Sequence, residues 1–255
     1  MTEPLQAFSV EISEFVATAT ITLPPVNAQN RAFRDEITGL FDSLGERSDV
    51  RAIVLTGAGK IFSAGADLKD RPDAQLAGAY PEHSRKVREA FNCVMECPKP
   101  VIAAVNGAAI GAGCVLALVC DIIVMADEAF LAMTEVDFVL AGGVSHIRRH
   151  FGESDARLMI YTARRISGQE ALRMNVASQS VRREEVVQVA QGIAREIATK
   201  SPAAVLAAKK SFLVTEDLPL QEGYKFEQSQ TAMLATTDDF REAQRAFAEK
   251  RKPVF

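Results

Sequence analysis

Chemistry is suggested first by two places where the chain strips its side chains away beside buried strands. IVLTGAGKIFSAGADLKD (53–70) runs from an apolar segment into Ala64, Gly65 and Ala66, followed by Asp67 and Leu68. VIAAVNGAAIGAGCVLAL (101–118) runs from another into Gly111–Ala112–Gly113 and turns apolar at Val115. Loops without side chains let a ligand approach the backbone closely. Where such a loop opens a helix, its amide N–H groups point outward unpaired. Two of these loops meeting at one point would present two N–H donors to one oxygen. That is an oxyanion hole, in which a single donor lowers a barrier by about 3–4 kcal/mol. The competing reading is a pair of tight turns whose glycines permit helix–sheet packing, and the residues alone leave both open. Phosphate cradles fit less well, because GAGK (57–60) lacks P-loop spacing and neither loop matches GxGxxG.

Titratable candidates cluster after the apolar run AFLAM. Glu135 stands in AMTEVDF, one acidic residue among 33; without further context it reads as a surface charge. Asp137 shares its face if the stretch stays extended. The following segment, VDFVLAGGVSHIRRHFG (136–152), carries Ser145, His146 and His150. A histidine in a glycine-containing loop serves either as a general acid/base or as a packing residue. Ser145 and His146 are sequence neighbours without an evident acid partner, which makes a Ser–His hydrolase a weak reading. Cys93, Cys97, Cys114 and Cys120 have no second Cys/His pair at zinc spacing and read as buried free thiols, with no metal site.

The elements that must position these residues follow from periodicity. FSVEIS (8–13) and FVATATITL (15–23) alternate as an antiparallel strand pair. Phe33, Ile37, Leu40, Phe41 and Leu44 mark a helix near 30–46. RAIVLTG (51–57), VIAAVNG (101–107) and DIIVMA (121–126) are short, wholly apolar strands of the doubly buried, parallel kind. Helical segments lie between them, near 82–96 and 113–120. This alternation predicts an α/β fold. Beyond about residue 183 only helices are expected, at 183–199, 201–214, 217–236 and 238–249, with Asp217 and Asp238 at N-cap positions. The layout divides into an α/β core, 1–190, and a helical region, 191–255.

At 255 residues, 48% hydrophobic and 24% charged, the chain has the composition of a folded globular protein. Its net charge of −4 argues against a general nucleic-acid surface. No apolar run reaches the roughly 18–20 residues of a membrane span. No basic segment precedes an apolar core at the N-terminus, so a cytoplasmic, leaderless protein is expected.

AGADLK (64–69), taken with PVIAAVNGAAIGAGCVLALVCDI (100–122), resembles the crotonase superfamily of enoyl-CoA hydratases and isomerases. The likeness extends over most of the chain through PPVNAQN (24–30), TEV (134–136), TARRISGQEALRMNVAS (162–178) and AFAEKRKPVF (246–255). It implies a spiral of repeated ββα units with a C-terminal helical region that assembles homotrimers or dimers of trimers. It also implies an enzyme without a resident cofactor, because coenzyme A arrives as part of an acyl-CoA substrate. By this resemblance the backbone N–H groups of Ala66 and Ala112 hold the thioester oxygen as it becomes an enolate. The backbone around Val26–Ala28 and Ala64–Leu68 meets the pantetheine and adenine, with Asp67 steadying the loop. Gly111 and Val115 border the acyl group; His146, in a loop after Glu135 that looks about three residues shorter than the superfamily's and departs from it, is a further substrate-binding candidate. Phe247 and Lys250, from the C-terminal helix of the same or a neighbouring subunit, meet the acyl or nucleotide end. For Lys250 the alternative is an ordinary basic helix end.

A hydratase of this superfamily carries two glutamates facing the acyl chain. Glu135 matches the second, and apolar walls around it would raise its pKa into a range useful for proton transfer. The first is expected at position 115, where this chain has valine, which neither moves a proton nor holds a water. The resemblance therefore points to a Δ3-Δ2-enoyl-CoA isomerase with one shuttling glutamate. The alternatives are a hydratase with an altered water-activating residue, other enolate chemistry, or a catalytically reduced acyl-CoA-binding protein.

Overall fold

The computed structural model of the chain describes residues 5–73 and 75–255. The first four residues of the segment inspected for a leader lie outside that range. Strands β1 (Phe8–Ser13) and β2 (Val16–Ile21) pair antiparallel, and β3 (Ala52–Gly57), β5 (Val101–Val105), β7 (Ile122–Ala126) and β10 (Gln179–Val181) continue the sheet in parallel, in the order β1-β2-β3-β5-β7-β10. A second sheet takes β4 (Ile61–Ser63), β6 (Ala108–Ile110), β8 (Phe130–Ala132) and β9 (Ile166–Ser167), in that order. Each turn of the chain thus gives one strand to each sheet: β3 then β4, β5 then β6, β7 then β8. This is the expected spiral of ββα turns.

The doubly buried strands divide their side chains between two cores. On β3, Ile53 and Leu55 join the main core between the sheets, while Ala52 and Val54 face the other way. There they pack with Val186, Ala190 and Ala194 of α7 (Val186–Ala198). The helix containing residue 190 therefore lies on the sheet. Helix α1 (Arg31–Glu46) is opened by Asn30, whose side chain accepts from the Phe33 N–H, and it buries the apolar stripe read from the sequence. Helices α2 (Ala79–Met95), α3 (Ala112–Leu118), α4 (Val144–His150), α5 (Glu153–Thr162) and α6 (Gly168–Arg173) complete the spiral.

After α7 come α8 (Pro202–Thr215), α9 (Leu220–Leu234) and α10 (Asp238–Ala248). The expected N-caps are corrected here. Thr237 rather than Asp238 caps α10, its hydroxyl accepting from the Phe240 N–H, and Pro219 rather than Asp217 precedes α9. Lys209 fastens α8 to the core: its buried ammonium donates to the Lys99 carbonyl at 2.9 Å and to Asp121 at 2.7 Å. Among the described residues no helix is long and apolar enough to cross a membrane.

Candidate active site

Strands β4 and β6 are parallel neighbours, so the two small-residue loops leave the same edge of the second sheet side by side. A Cβ on Gly65, whose φ is +88°, would run into the Ile110 carbonyl and lie 3.2 Å from the Ala112 nitrogen. The loops are in contact, and only glycine permits it. Gly65 also donates from its own N–H to Ser63 Oγ at 3.2 Å. The N–H groups of Ala66, an exposed residue bridged in parallel with Gln29, and of Ala112, at the first turn of α3, have no hydrogen-bond partner among the described residues.

The segment after the first two strands zips onto the first loop. Ala64 donates to the Val26 carbonyl at 3.0 Å, Gln29 donates to the Gly65 carbonyl at 2.8 Å, and Asp67 donates to the Gln29 carbonyl at 3.3 Å. Val26 and Ala28 are partly buried. Asp67 accepts from the Lys69 N–H at 3.0 Å and caps a short 3₁₀ turn, Leu68–Asp70, whose Leu68 is exposed.

Residues that sequence reasoning missed tie the loops together. Buried Gln29 donates to the Ala112 carbonyl at 3.1 Å and approaches Ser63 Oγ at 3.4 Å; Ser63 in turn donates to the Asn27 carbonyl. Arg34 donates to the Gln29 carbonyl and pairs with Asp70 at 2.7 Å. Their signal was available in PPVNAQN, where amides recur between an apolar strand and an apolar helix.

Glu135 follows β8 and opens a 3₁₀ turn, Glu135–Phe138. The condition for a shared face, an extended stretch, is not met: the segment turns, and Asp137 is exposed to solvent. The glutamate lies over the second loop. A Cβ on Gly111 (φ +54°) would stand 2.7 Å from Glu135 Oε1. Its Oε2 is buried and pairs with nothing among the described residues. Burial raises the Glu135 pKa, partly opposed by its own backbone N–H. The neighbouring Cys114 thiol is pushed well up by burial and then by the Glu135 charge.

Beside Glu135 the wall is apolar. Val115 is buried one turn into α3, its N–H bonded to the Gly111 carbonyl. Gly143 packs on it, its Cβ position 3.1 Å from Val115 Cγ2 and against the Met133 methyl, while Gly142 faces Glu135 Cγ. His146, on α4, is partly buried with its Nδ1 unpaired among the described residues, and its ring meets Phe91 edge-on at 5.9 Å. Burial, then the nearby Arg149, lowers its pKa. The structure therefore brings Ala64, Ala66, Asp67, Leu68, Val26, Ala28, Gly111, Ala112, Val115 and Glu135 into one neighbourhood, with His146 a turn further along α4.

Phe247 and Lys250 are exposed at the end of α10, and no hydrogen bond or ion pair joins their side chains to these loops among the described residues. A cavity of about 550 Å³ opens elsewhere, at the far end of α3, lined by Leu118, His150, Lys209 and Phe212 among others. The four cysteines are free thiols; three are buried, and burial pushes Cys93 up to about 12.

A sequence model described as enoyl-CoA hydratase/isomerase matches residues 11–255. A mitochondrial enoyl-CoA hydratase of Pongo abelii is 36% identical, aligning 90% of this chain with 79% of that protein. The human mitochondrial Delta(3,5)-Delta(2,4)-dienoyl-CoA isomerase is 33% identical over 89% of this chain and 74% of its own. The crystal structure of an enoyl-CoA hydratase from Bacillus anthracis superposes with a TM-score of 0.91 at 33% identity, covering 98% of this chain and 99% of that one.

Proposed function

Because this chain belongs to the enoyl-CoA hydratase/isomerase family, the crotonases, and is an enzyme of that lyase/isomerase class, we propose that it moves a double bond from Δ3 to Δ2 in an acyl-CoA thioester. Glu135, as carboxylate, takes a proton from C2. The C2–H electron pair moves into the C1–C2 bond, and charge builds on the thioester oxygen. The N–H groups of Ala66 and Ala112 receive that oxygen, and the helix dipole of α3 adds to their effect. Glu135, now a carboxylic acid, returns the proton to C4: the C3=C4 pair forms the new C–H bond, the C1=C2 pair moves to C2–C3, and the oxyanion closes back to the thioester carbonyl. The coenzyme A portion runs past Val26–Ala28 and Ala64–Leu68. No resident cofactor is required by this sequence of steps.

The observation that carries the reading is the asymmetry around the loops: one desolvated carboxylate at Glu135, and valine at 115 walled in by Met133 and Gly143. A proton shuttle between two carbons needs one base that can also act as the acid. Hydration needs a second polar group to hold a water at C3. We assign the helices from residue 191 onward to assembly into trimers or pairs of trimers, with Phe247 and Lys250 reaching a neighbour's site.

The test is to offer the purified protein a 3-enoyl-CoA and, separately, crotonyl-CoA, following conjugation at the thioester in the ultraviolet. Conjugation of the first that disappears in Glu135→Gln is expected. Rapid hydration of crotonyl-CoA would favour a hydratase with an altered water-activating residue, and binding without turnover would favour a catalytically reduced binding protein.

A further inference from the structure

The parallel order β3-β5-β7 gathers the entry ends of three strands at one end of the large sheet. Val50 and Arg51 lead into β3, Lys99 and Pro100 into β5, and Asp121 into β7. Lys209 docks α8 over these ends, and two cavities lie between the helix and the spiral. The one of about 550 Å³ has apolar walls from Leu118, Ile122, Phe212 and Leu213, with Lys209 and Asp121 paired at 2.7 Å in its lining. The other, of about 290 Å³, is lined by Arg47, Arg51 and Lys99, with Glu46 the one acid among its described residues. Pro100, Ile197, Lys200 and Val205 line both, so the apolar and the cationic cavity adjoin.

Most charges here are already answered. Arg47 pairs with Asp49 and Lys200 with Glu196, all four in contact with water, where such pairs are screened. Arg51 donates to the Ala198 carbonyl and to Phe255 at the chain end. Lys99 differs. It is 8% exposed, its ammonium donates only to the Leu44 carbonyl at 2.8 Å and to the Arg47 carbonyl, and no carboxylate pairs with it among the described residues. An ammonium has three N–H donors, so one is unassigned. The carbonyls closing α1 bring only a partial negative charge, and capping them needs a donor rather than a buried cation. Lys209, set against Asp121, shows the usual arrangement for a buried charge.

We propose that the joined cavities bind an aliphatic carboxylate, a medium-chain fatty acid, with its head at Lys99 and Lys200 and its chain in the apolar part. The two linings call for one molecule of mixed character. An uncharged chain would leave Lys99 without a counter-charge, and a small anion would leave the apolar walls to water. From Val205, shared by both cavities, to Leu213 α8 advances about 12 Å, which an extended chain of medium length can follow. The inference stands apart from the acyl-CoA reading, because neither the bare loops nor Glu135 contribute to either lining.

The experiment is calorimetric titration of the assembled, full-length protein with decanoate below its micellar concentration, and with 1-decanol as the uncharged control. Decanoate is expected to bind one per chain and at least about tenfold more tightly than decanol, as one charge-assisted hydrogen bond allows. Lys99→Met should lower decanoate to the level of decanol and leave decanol unchanged, a difference that a capping role alone would not produce. Lys200→Met should weaken decanoate severalfold, which keeps the test open if Lys99→Met does not fold. Ala208→Trp, which fills the apolar cavity, should abolish binding of both; thermal melts confirm that each variant folds. Equal binding of decanoate and decanol, binding that survives Ala208→Trp, or displacement by saturating acetyl-CoA overturns the inference. So does absence of binding, the result expected if side chains of a second copy fill the cavity. Decanoate bound by a protein inert toward 3-enoyl-CoA would leave this inference standing and sink the isomerase reading alone.

Discussion

At the residue scale the site turns on an exposed conflict between stability and chemistry. Glu135 has a raised pKa because it is buried without a partner. A group whose folded pKa lies above its unfolded value stabilises the fold when protonated, and that contribution is lost as pH rises through the folded pKa. At neutral pH the ionised Glu135 therefore weakens the native state. Glu135→Gln should abolish isomerisation, a loss of about 10²–10⁴-fold or more, yet raise the melting temperature at pH 7–8, by about 2–4 °C per kcal/mol recovered. The gain should shrink at acid pH; an unchanged or lower melting temperature at neutral pH would count against a desolvated carboxylate. The acid limb of kcat/KM should follow Glu135 and sit above the ordinary glutamate range, activity rising with pH. Val115→Glu tests the other half of the asymmetry. It should confer measurable hydration of crotonyl-CoA while destabilising the fold by about 1–3 kcal/mol, since the new carboxylate meets Met133 and the bare Gly143 backbone.

At the scale of elements the catalytic geometry depends on close approach between backbones. Gly111 has φ +54° and ψ −119°, a region that side chains avoid. A methyl there would also stand 2.7 Å from Glu135 Oε1. Gly111→Ala is thus expected to displace the glutamate, lowering kcat far more than it raises KM, with a stability cost of about 1–3 kcal/mol. Steady-state kinetics with 3-enoyl-CoA and a thermal melt check both parts. Gln29 links the second loop to the first through the Ala112 carbonyl and Ser63. Gln29→Leu removes the bond that ties the two loops, leaving Ser63 with its Gly65 and Asn27 partners, and should cost about 1 kcal/mol, with kcat falling because the two amide donors lose their relative position.

At the scale of the whole molecule, α8 is held to the spiral by a buried ammonium. Lys209 is 5% exposed and bonds Asp121 and the Lys99 carbonyl. Removing one partner of such a pair costs about 3–5 kcal/mol, because the other is left uncompensated; Asp121 is partly solvated, so Lys209→Met should fall near the lower end in a denaturant melt. From α8 onward the helices carry Phe212, Leu220 and Phe247 at 80%, 87% and 87% exposure. Large side chains so exposed fit a surface covered by other copies of the chain. Light scattering should give a trimer or hexamer, and a monomer at micromolar concentration would oppose that assignment.

The sequence by itself determined the fold class, the two bare loops and the substitution at 115, because each is written in local pattern: wholly apolar strands, glycine and alanine runs, one residue type in one place. It did not reveal β4, β6 and β8, each three residues long and too short for any periodicity to register. The tertiary structure decided what those strands do. By setting β4 beside β6 they bring Gly65 against Ala112, and by ending β8 next to them they lay Glu135 over Gly111. It also decided that Asp137 turns to solvent, since a 3₁₀ turn rotates alternate residues apart where a strand would align them. Gln29 was legible as a residue but not as a partner. Its place arises from a contact across 83 positions, Gln29 to Ala112, which is not encoded in neighbouring residues.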